Sequence, residues 1–116
     1  MSRCIGTWGE AQVANYLRQK KFHLVAHSYH CRFGEIDLIA MDGNTLCFVE
    51  VKTRSNLAVG LPRDYVTAAK QERIRKTALF YLSEKELDCP VRFDVAEVYC
   101  SENGAPNVVY LEDAFA

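Results

Sequence analysis

Four charged residues recur at even spacing in two strand-like segments, residues 35–41 and 45–53. Glu35 and Asp37 lie in the first segment, and Glu50 and Lys52 lie in the second. Facing carboxylates repel unless they share a proton, bind a divalent cation or remain in solvent. A cation held by such acids can bind a phosphate and activate water while a lysine stabilises developing negative charge. The alternative is a solvated edge hairpin with a salt bridge.

A two-residue turn at residues 43–44 is predicted between these strands, because Gly-Asn suits a tight hairpin loop. The resulting register puts Asp37 opposite Glu50 and Glu35 opposite Lys52. Directly opposed residues have Cβ atoms only about 5 Å apart. The three residues Asp37, Glu50 and Lys52 therefore favour a chemical role as a set.

Alternation along the two strands predicts two unlike faces. One face carries the four charged residues with Ile39, Leu46 and Phe48. The other is wholly apolar, with Ile36, Leu38, Ala40, Cys47, Val49 and Val51. The second face is therefore predicted to be buried, and the first to be charged away from the turn.

The remaining segments predict a single α/β domain, residues 1–116. Residues 7–21 and 64–86 read as helices, and residues 22–30 and 91–99 as strands. Loops are predicted at residues 55–62 and 101–106, and a last strand or short helix at residues 107–115. The order α-β-β-β-α-β-(β) indicates a mixed central sheet flanked by helices.

The charge is unevenly distributed although the net charge is only −1. Residues 52–76 hold seven basic and two acidic side chains, and residues 77–116 hold two basic and eight acidic ones. The basic segment predicts either a footprint for a polyanion or an ordinary solvated helix face. The five cysteines form no C-x-x-C pair, and no secretory or membrane-spanning segment is recognisable. A reducing, cytoplasmic location without membrane attachment is expected.

Asp37 followed by Glu50-Val51-Lys52 resembles the D…(D/E)-x-K signature of the restriction-endonuclease-like nuclease superfamily. Longer blocks resemble the YraN-type family, an uncharacterised set of predicted endonucleases that is similar to archaeal Holliday junction resolvases. These blocks span residues 6–95 in the expected order: "GTWGEAQVANYL", "CRFGEIDLIAMDG", "CFVEVKTRS", "AAKQERIRKTALFYL" and "RFDV". Ser28 stands where this family commonly has asparagine.

The resemblance implies a restriction-endonuclease-like fold with the acids on the central hairpin. It also implies a site in which Asp37 and Glu50, completed by Glu10, ligate Mg²⁺ or Mn²⁺ and Lys52 positions the attacking water. Gln71 would point at the same cleft. Three further residues would contact phosphates: Arg54, Lys70 and Arg73.

The residues themselves leave two of these roles open. Glu10 shares a helix face with apolar residues and is expected to point inward, but it also fits a capping box with Thr7. Gln71 lies at the margin of an apolar stripe, as an ordinary boundary glutamine would.

The predicted function is that of a Mg²⁺-dependent endonuclease acting on DNA, including branched DNA or recombination intermediates. By analogy with resolvases, a homodimer is expected. Two alternatives remain: a non-catalytic nucleic-acid-binding module of the same fold, and an intracellular scaffold that binds a protein partner through its acidic C-terminal third.

Overall fold

The computed structural model describes residues 7–54, 66–100 and 105–116. Within these ranges the chain forms two helices and five strands: α1 (Trp8–Gln19), β1 (His23–Cys31), β2 (Gly34–Asp42), β3 (Thr45–Arg54), α2 (Ala68–Glu84), β4 (Val91–Cys100) and β5 (Pro106–Phe115). The last segment is therefore a strand. The loop predicted at residues 55–62 and most of the turn predicted at residues 101–106 lie outside the described residues.

The five strands form one sheet in the order β1-β2-β3-β4-β5. The pairs β1–β2, β2–β3 and β4–β5 are antiparallel, whereas β3 and β4 are parallel. A parallel pair needs a long crossover connection, and α2 lies in the segment between these two strands. The predicted mixed sheet is thus confirmed.

Each face of the sheet carries one helix over its own apolar cluster. On the α1 face the buried cluster contains Val13, Leu17, Leu38, Ala40, Cys47, Val49, Ala96 and Val98. On the α2 face it contains Ile36, Ile39, Leu46, Phe48, Val66, Ile74, Ala78, Tyr81 and Val95. Alternating residues of β2 and β3 enter opposite clusters, as period-two alternation requires.

The central hairpin has the predicted register, with Leu38 opposite Val49 and Asp42 opposite Thr45. Gly43 makes the turn with a φ of 63°, a conformation that glycine adopts at little cost. The recorded pairing of β2 with β3 ends at Leu38. The predicted opposition of Asp37 to Glu50 therefore falls where the two strands leave the regular ladder.

One assignment of the hairpin faces is wrong. Ile36 packs in the α2 cluster, not beside Leu38 and Ala40 on the α1 face. The reason lies in the β1–β2 ladder, where pairing is absent at Ser28 and Asp37 although it continues on both sides. Ser28 has a left-handed φ of 50°, so the regular alternation is broken at this point.

Neither helix in the described ranges is long and apolar enough to cross a membrane.

Candidate active site

Asp37 lies at the point where β2 separates from β3. Its Oδ2 atom accepts a hydrogen bond of 2.8 Å from the backbone N–H of Val51. The Asp37 side chain thus accepts from a backbone N–H that would have donated to a carbonyl in a continuous β2–β3 ladder. This bond fixes the carboxylate beside the segment of β3 that carries Glu50 and Lys52.

The surroundings of Asp37 disfavour its ionised form. Burial, followed by repulsion from Glu50, raises the pKa of Asp37 to about 7 from an ordinary value of 3.8. The charge of Glu10 acts in the same direction, while the Val51 hydrogen bond and Lys70 oppose it. The three acids therefore lie within electrostatic reach of one another, and a cation placed among them would be stabilised.

Glu50 is only 6% exposed and is held by two ammonium groups. Its Oε2 atom lies 2.6 Å from Lys70 Nζ and 3.7 Å from Lys52 Nζ. Lys52 projects from the same face of β3, two residues further on, whereas Lys70 comes from the first turn of α2. Burial acts to lower the pKa of Lys70, but its hydrogen bond and charge interaction with Glu50 outweigh burial and leave the pKa raised.

Glu10 reaches the site from the first turn of α1. The Thr7 hydroxyl accepts a hydrogen bond from the Glu10 backbone N–H at 3.1 Å, so the predicted N-cap is present. The Glu10 carboxylate is buried and accepts a weak hydrogen bond of 3.5 Å from Ser28 Oγ. The Glu10 backbone thus belongs to the capped first turn, while its carboxylate points inward to Ser28 and lies within electrostatic reach of Asp37.

Two predicted residues make contacts elsewhere. Gln71 donates to the carbonyl of Val66 at 3.0 Å and accepts from Arg75 at 3.3 Å, which joins it to its own helix. Arg54 forms an ion pair with the fully buried Glu97.

Two further candidates, Glu35 of β2 and Arg73 of α2, line a cavity next to the acids. This cavity, of about 220 Å³, is bordered by Glu35 and Arg73 together with Gly34, Lys70 and Ile74. Glu35 is exposed and pairs through its backbone with His30 of β1, so the predicted contact with Lys52 lies beyond the paired part of the hairpin.

Glu97 is a buried acid that the sequence did not single out. It is 0% exposed and pairs with Lys52 across the parallel β3–β4 ladder. Its Oε1 atom has no hydrogen-bond partner among the residues described. Since a parallel neighbour is brought in by the crossover, no local spacing could have indicated it.

The donor set fits a hard divalent cation with a partly filled coordination shell. Among residues 7–54, 66–100 and 105–116, no group of three or more His, Cys, Asp or Glu side chains is close enough to hold a metal ion by itself. Mg²⁺, however, is usually bound by one or two carboxylates, with waters and substrate phosphates completing the shell. Asp37 and Glu50 can provide those two carboxylates.

The fold and site define a mixed α/β protein with an acidic centre and two lysines where its central hairpin opens. Residues 9–98 match the model of the uncharacterised protein family UPF0102. The chain is 43% identical over 115 residues to a UPF0102 protein of Geotalea uraniireducens, covering 98% of this chain and 91% of the relative. It is 42% identical over 116 residues to a UPF0102 protein of Symbiobacterium thermophilum, covering 99% and 98%. The chain belongs to the UPF0102 family, and the YraN-type resemblance is confirmed.

Proposed function

We propose that this protein is a metal-dependent endonuclease that hydrolyses phosphodiester bonds of DNA. The observation that carries the proposal is the environment of Glu50. This acid is buried next to the hydrogen-bonded carboxylate of Asp37 and is held by the ammonium groups of Lys52 and Lys70. A purely structural ion pair would need one acid and one base, whereas this site buries several acids together, and burial followed by repulsion from Glu50 raises the pKa of Asp37.

Each residue has a distinct task in this proposal. Asp37 and Glu50 hold Mg²⁺ or Mn²⁺, and Glu10 adds negative charge from α1. The cation, when bound, supplies Lewis acidity towards a phosphodiester oxygen. Lys52, whose side chain is 25% exposed, orients the attacking water and stabilises negative charge as it develops on the phosphate.

DNA is the substrate class because positive side chains border the acids on the side of α2. Lys70 and Arg73 line the cavity next to the site and are placed to contact phosphates of a bound strand. The likeness to resolvases makes branched DNA the first substrate to test. Arg54, which is ion-paired with Glu97 at the end of β3, extends this proposed surface.

The proposal is tested by incubating the protein with a four-way junction, a splayed duplex and a linear duplex, each with Mg²⁺, Mn²⁺ or EDTA. We expect cleavage only with a divalent cation. Asp37→Ala and Lys52→Ala should each reduce the rate by about 100-fold or more, the size of losses seen when electrostatic stabilisation of a transition state is removed. The exposed residues Asp88 and Lys76 provide matched controls, and Asp88→Ala and Lys76→Ala should cleave at the wild-type rate.

Three results contradict the proposal. Cleavage that survives both Asp37→Ala and Lys52→Ala would exclude this site. DNA binding without cleavage, with a steep salt dependence that Asp37→Ala does not weaken, would identify a non-catalytic binding module. Absence of both DNA cleavage and DNA binding, together with capture of a partner protein through residues 84–116, would identify a scaffold.

A further inference from the structure

Lys70 occupies the position of a cation at the carboxylate pair. Its ammonium lies 2.6 Å from Glu50 Oε2, a short charge-assisted hydrogen bond, whereas Lys52 is more distant at 3.7 Å. The pKa of Lys70 is also raised by the charge of Asp37, so the ammonium interacts with both acids. The side chain comes from α2 and not from the strands that carry the acids, so it can leave without disturbing the hairpin.

The Lys70 side chain lies beside solvent-accessible space into which its ammonium can move. Its side chain is 34% exposed, while that of Glu50 is 7% exposed. Lys70 also lines the cavity of about 220 Å³ that Glu35 and Arg73 border. A four-carbon stem with a strongly hydrated head can exchange a carboxylate for this hydrated space at modest cost.

We infer that Lys70 is a displaceable counter-ion, which neutralises Glu50 in the metal-free protein and must leave Glu50 Oε2 when a divalent cation binds. This inference rests on the metal site of the proposed function. One carboxylate oxygen cannot keep a short bond to an ammonium and also coordinate a cation in the same place. The free energy needed to break the Lys70–Glu50 bond therefore makes metal binding weaker in wild type than in a protein without this ammonium. Once released, the ammonium becomes available to a phosphate at the cavity.

Mn²⁺ binding, measured by calorimetry and by the loss of the free Mn²⁺ electron-spin-resonance signal, tests this competition. Lys70→Met, which removes the ammonium but keeps the length of the stem, should bind Mn²⁺ about tenfold more tightly than wild type. A tenfold change corresponds to about 1.4 kcal/mol, close to the lower end of the range for one hydrogen bond to a charged group. Lys70→Arg keeps a cation and should stay within about threefold of wild type.

Thermal unfolding separates a counter-ion from a residue that only supports the fold. Without metal, Lys70→Met should lower the Tm, because Glu50 loses its closer cation. At saturating Mn²⁺ the Tm difference should disappear or change sign. A purely structural lysine would give the same deficit in both conditions. Lys76→Met, on the exposed side of the same helix, should change neither Mn²⁺ affinity nor this difference.

The outcomes distinguish this inference from the proposed function. If wild type binds Mn²⁺ and Lys70→Met binds it no more tightly, the counter-ion role is overturned while the metal site stands. If neither binds Mn²⁺, both fail. If only Lys70→Met binds, the counter-ion role is supported and the natural protein needs its substrate to complete the site. Should Lys70→Met fold poorly, Lys70→Gln replaces it with the same expectations.

Discussion

At Asp37, burial and neighbouring charge act against the ionised form of the side chain. Its carboxylate is hydrogen-bonded to Val51, but burial and the neighbouring Glu50 still raise its pKa to about 7. Proteins keep such unfavourable arrangements mainly where a ligand compensates them. The free energy of unfolding should therefore report on this residue directly.

We predict that Asp37→Asn stabilises the metal-free protein in a pH-dependent way. Because the pKa of Asp37 is about 7 when folded and near 3.8 when unfolded, the folded state binds more protons between these values. The contribution of Asp37 to stability therefore falls as the pH rises from about 4 to 7. Relative to wild type, Asp37→Asn should gain little stability at pH 4 and about 4 kcal/mol at pH 8, as measured by urea unfolding, since one pKa unit corresponds to about 1.4 kcal/mol.

Asp88→Asn serves as the control, because Asp88 is exposed between α2 and β4 and should show no such trend. Saturating Mn²⁺ should reduce or reverse the advantage of Asp37→Asn at pH 8, since only the carboxylate gains a strong metal ligand bond. A stability difference that is the same at every pH would contradict the unfavourable ionisation of Asp37.

At the scale of secondary structure, the site depends on how closely α1 approaches β3. A Cβ atom built on Gly9 would overlap Thr53 Oγ1 and lie 3.3 Å from Thr53 Cβ. Glycine therefore lets the first turn of α1 lie directly against β3, and the next residue, Glu10, is brought towards Asp37. A bulkier residue would push this turn away from the site.

We predict that Gly9→Ala destabilises the protein by about 1–3 kcal/mol, the usual cost of overpacking. This is opposite to the effect of helix propensity, which favours alanine over glycine by about 1 kcal/mol. Thr53→Ala removes the overlapping oxygen, so the double variant should recover most of the loss. Chemical unfolding of the two single variants and the double variant measures the coupling. If Gly9→Ala lowers the free energy of unfolding by the same amount in the wild-type and Thr53→Ala backgrounds, the steric explanation is wrong.

The interruption of the β1–β2 ladder is a second local feature that shapes the site. Ser28 has a left-handed φ of 50°, and the residue opposite it, Asp37, is unpaired in that ladder. Asparagine adopts this conformation more readily than serine. An asparagine, which the resemblance to the YraN-type family implies at this position, would suit the same backbone geometry.

Across the whole molecule, Asp94 joins the far strands of the sheet. It is 1% exposed and accepts two hydrogen bonds from Arg92, one from Tyr110 Oη at 2.6 Å and one from the backbone of Asp113 at 2.9 Å. Arg92 also bonds Asp42 at the tip of the central hairpin. This one carboxylate therefore connects β4 to β5 and, through Arg92, to β2.

We predict that Asp94→Ala costs about 3–5 kcal/mol of unfolding free energy, because it leaves the charge of Arg92 without its main partner. Tyr110→Phe removes a single bond to Asp94 and should cost about 1–2 kcal/mol. Glu112→Gln changes an exposed partner 3.7 Å from Arg92 and should change stability by less than about 0.5 kcal/mol. Urea unfolding at low temperature allows even a marginal variant to be measured, and similar losses for Asp94→Ala and Glu112→Gln would contradict this role.

The basic segment at residues 52–76 also looks different in three dimensions. Lys52 and Lys70 are directed at Glu50, and Arg75 pairs with Glu72. Arg54 pairs with Glu97, far along the chain. Counting charges in the sequence therefore overestimated the positive surface available to a polyanion, because Lys70 and Arg54 are paired with acids of other elements.

The sequence by itself determined both helices and the first four strands, the register of the central hairpin and the identity of the acids on it. These follow from local rules: period-two alternation, turn chemistry at residues 43–44 and helix capping at Thr7. The same rules failed at Ile36, where the interruption of the β1–β2 ladder broke the alternation.

Only the tertiary structure decided which charges meet. The parallel pairing of β3 with β4 brought Glu97 into an ion pair with Arg54, and the packing of α2 brought Lys70 to within 2.6 Å of Glu50. Neither contact has a sequence signal, because each joins residues separated by a crossover or a helix and depends on how two faces of the sheet are covered. The sequence identified the acids, and the fold determined that a lysine from α2 neutralises one of them.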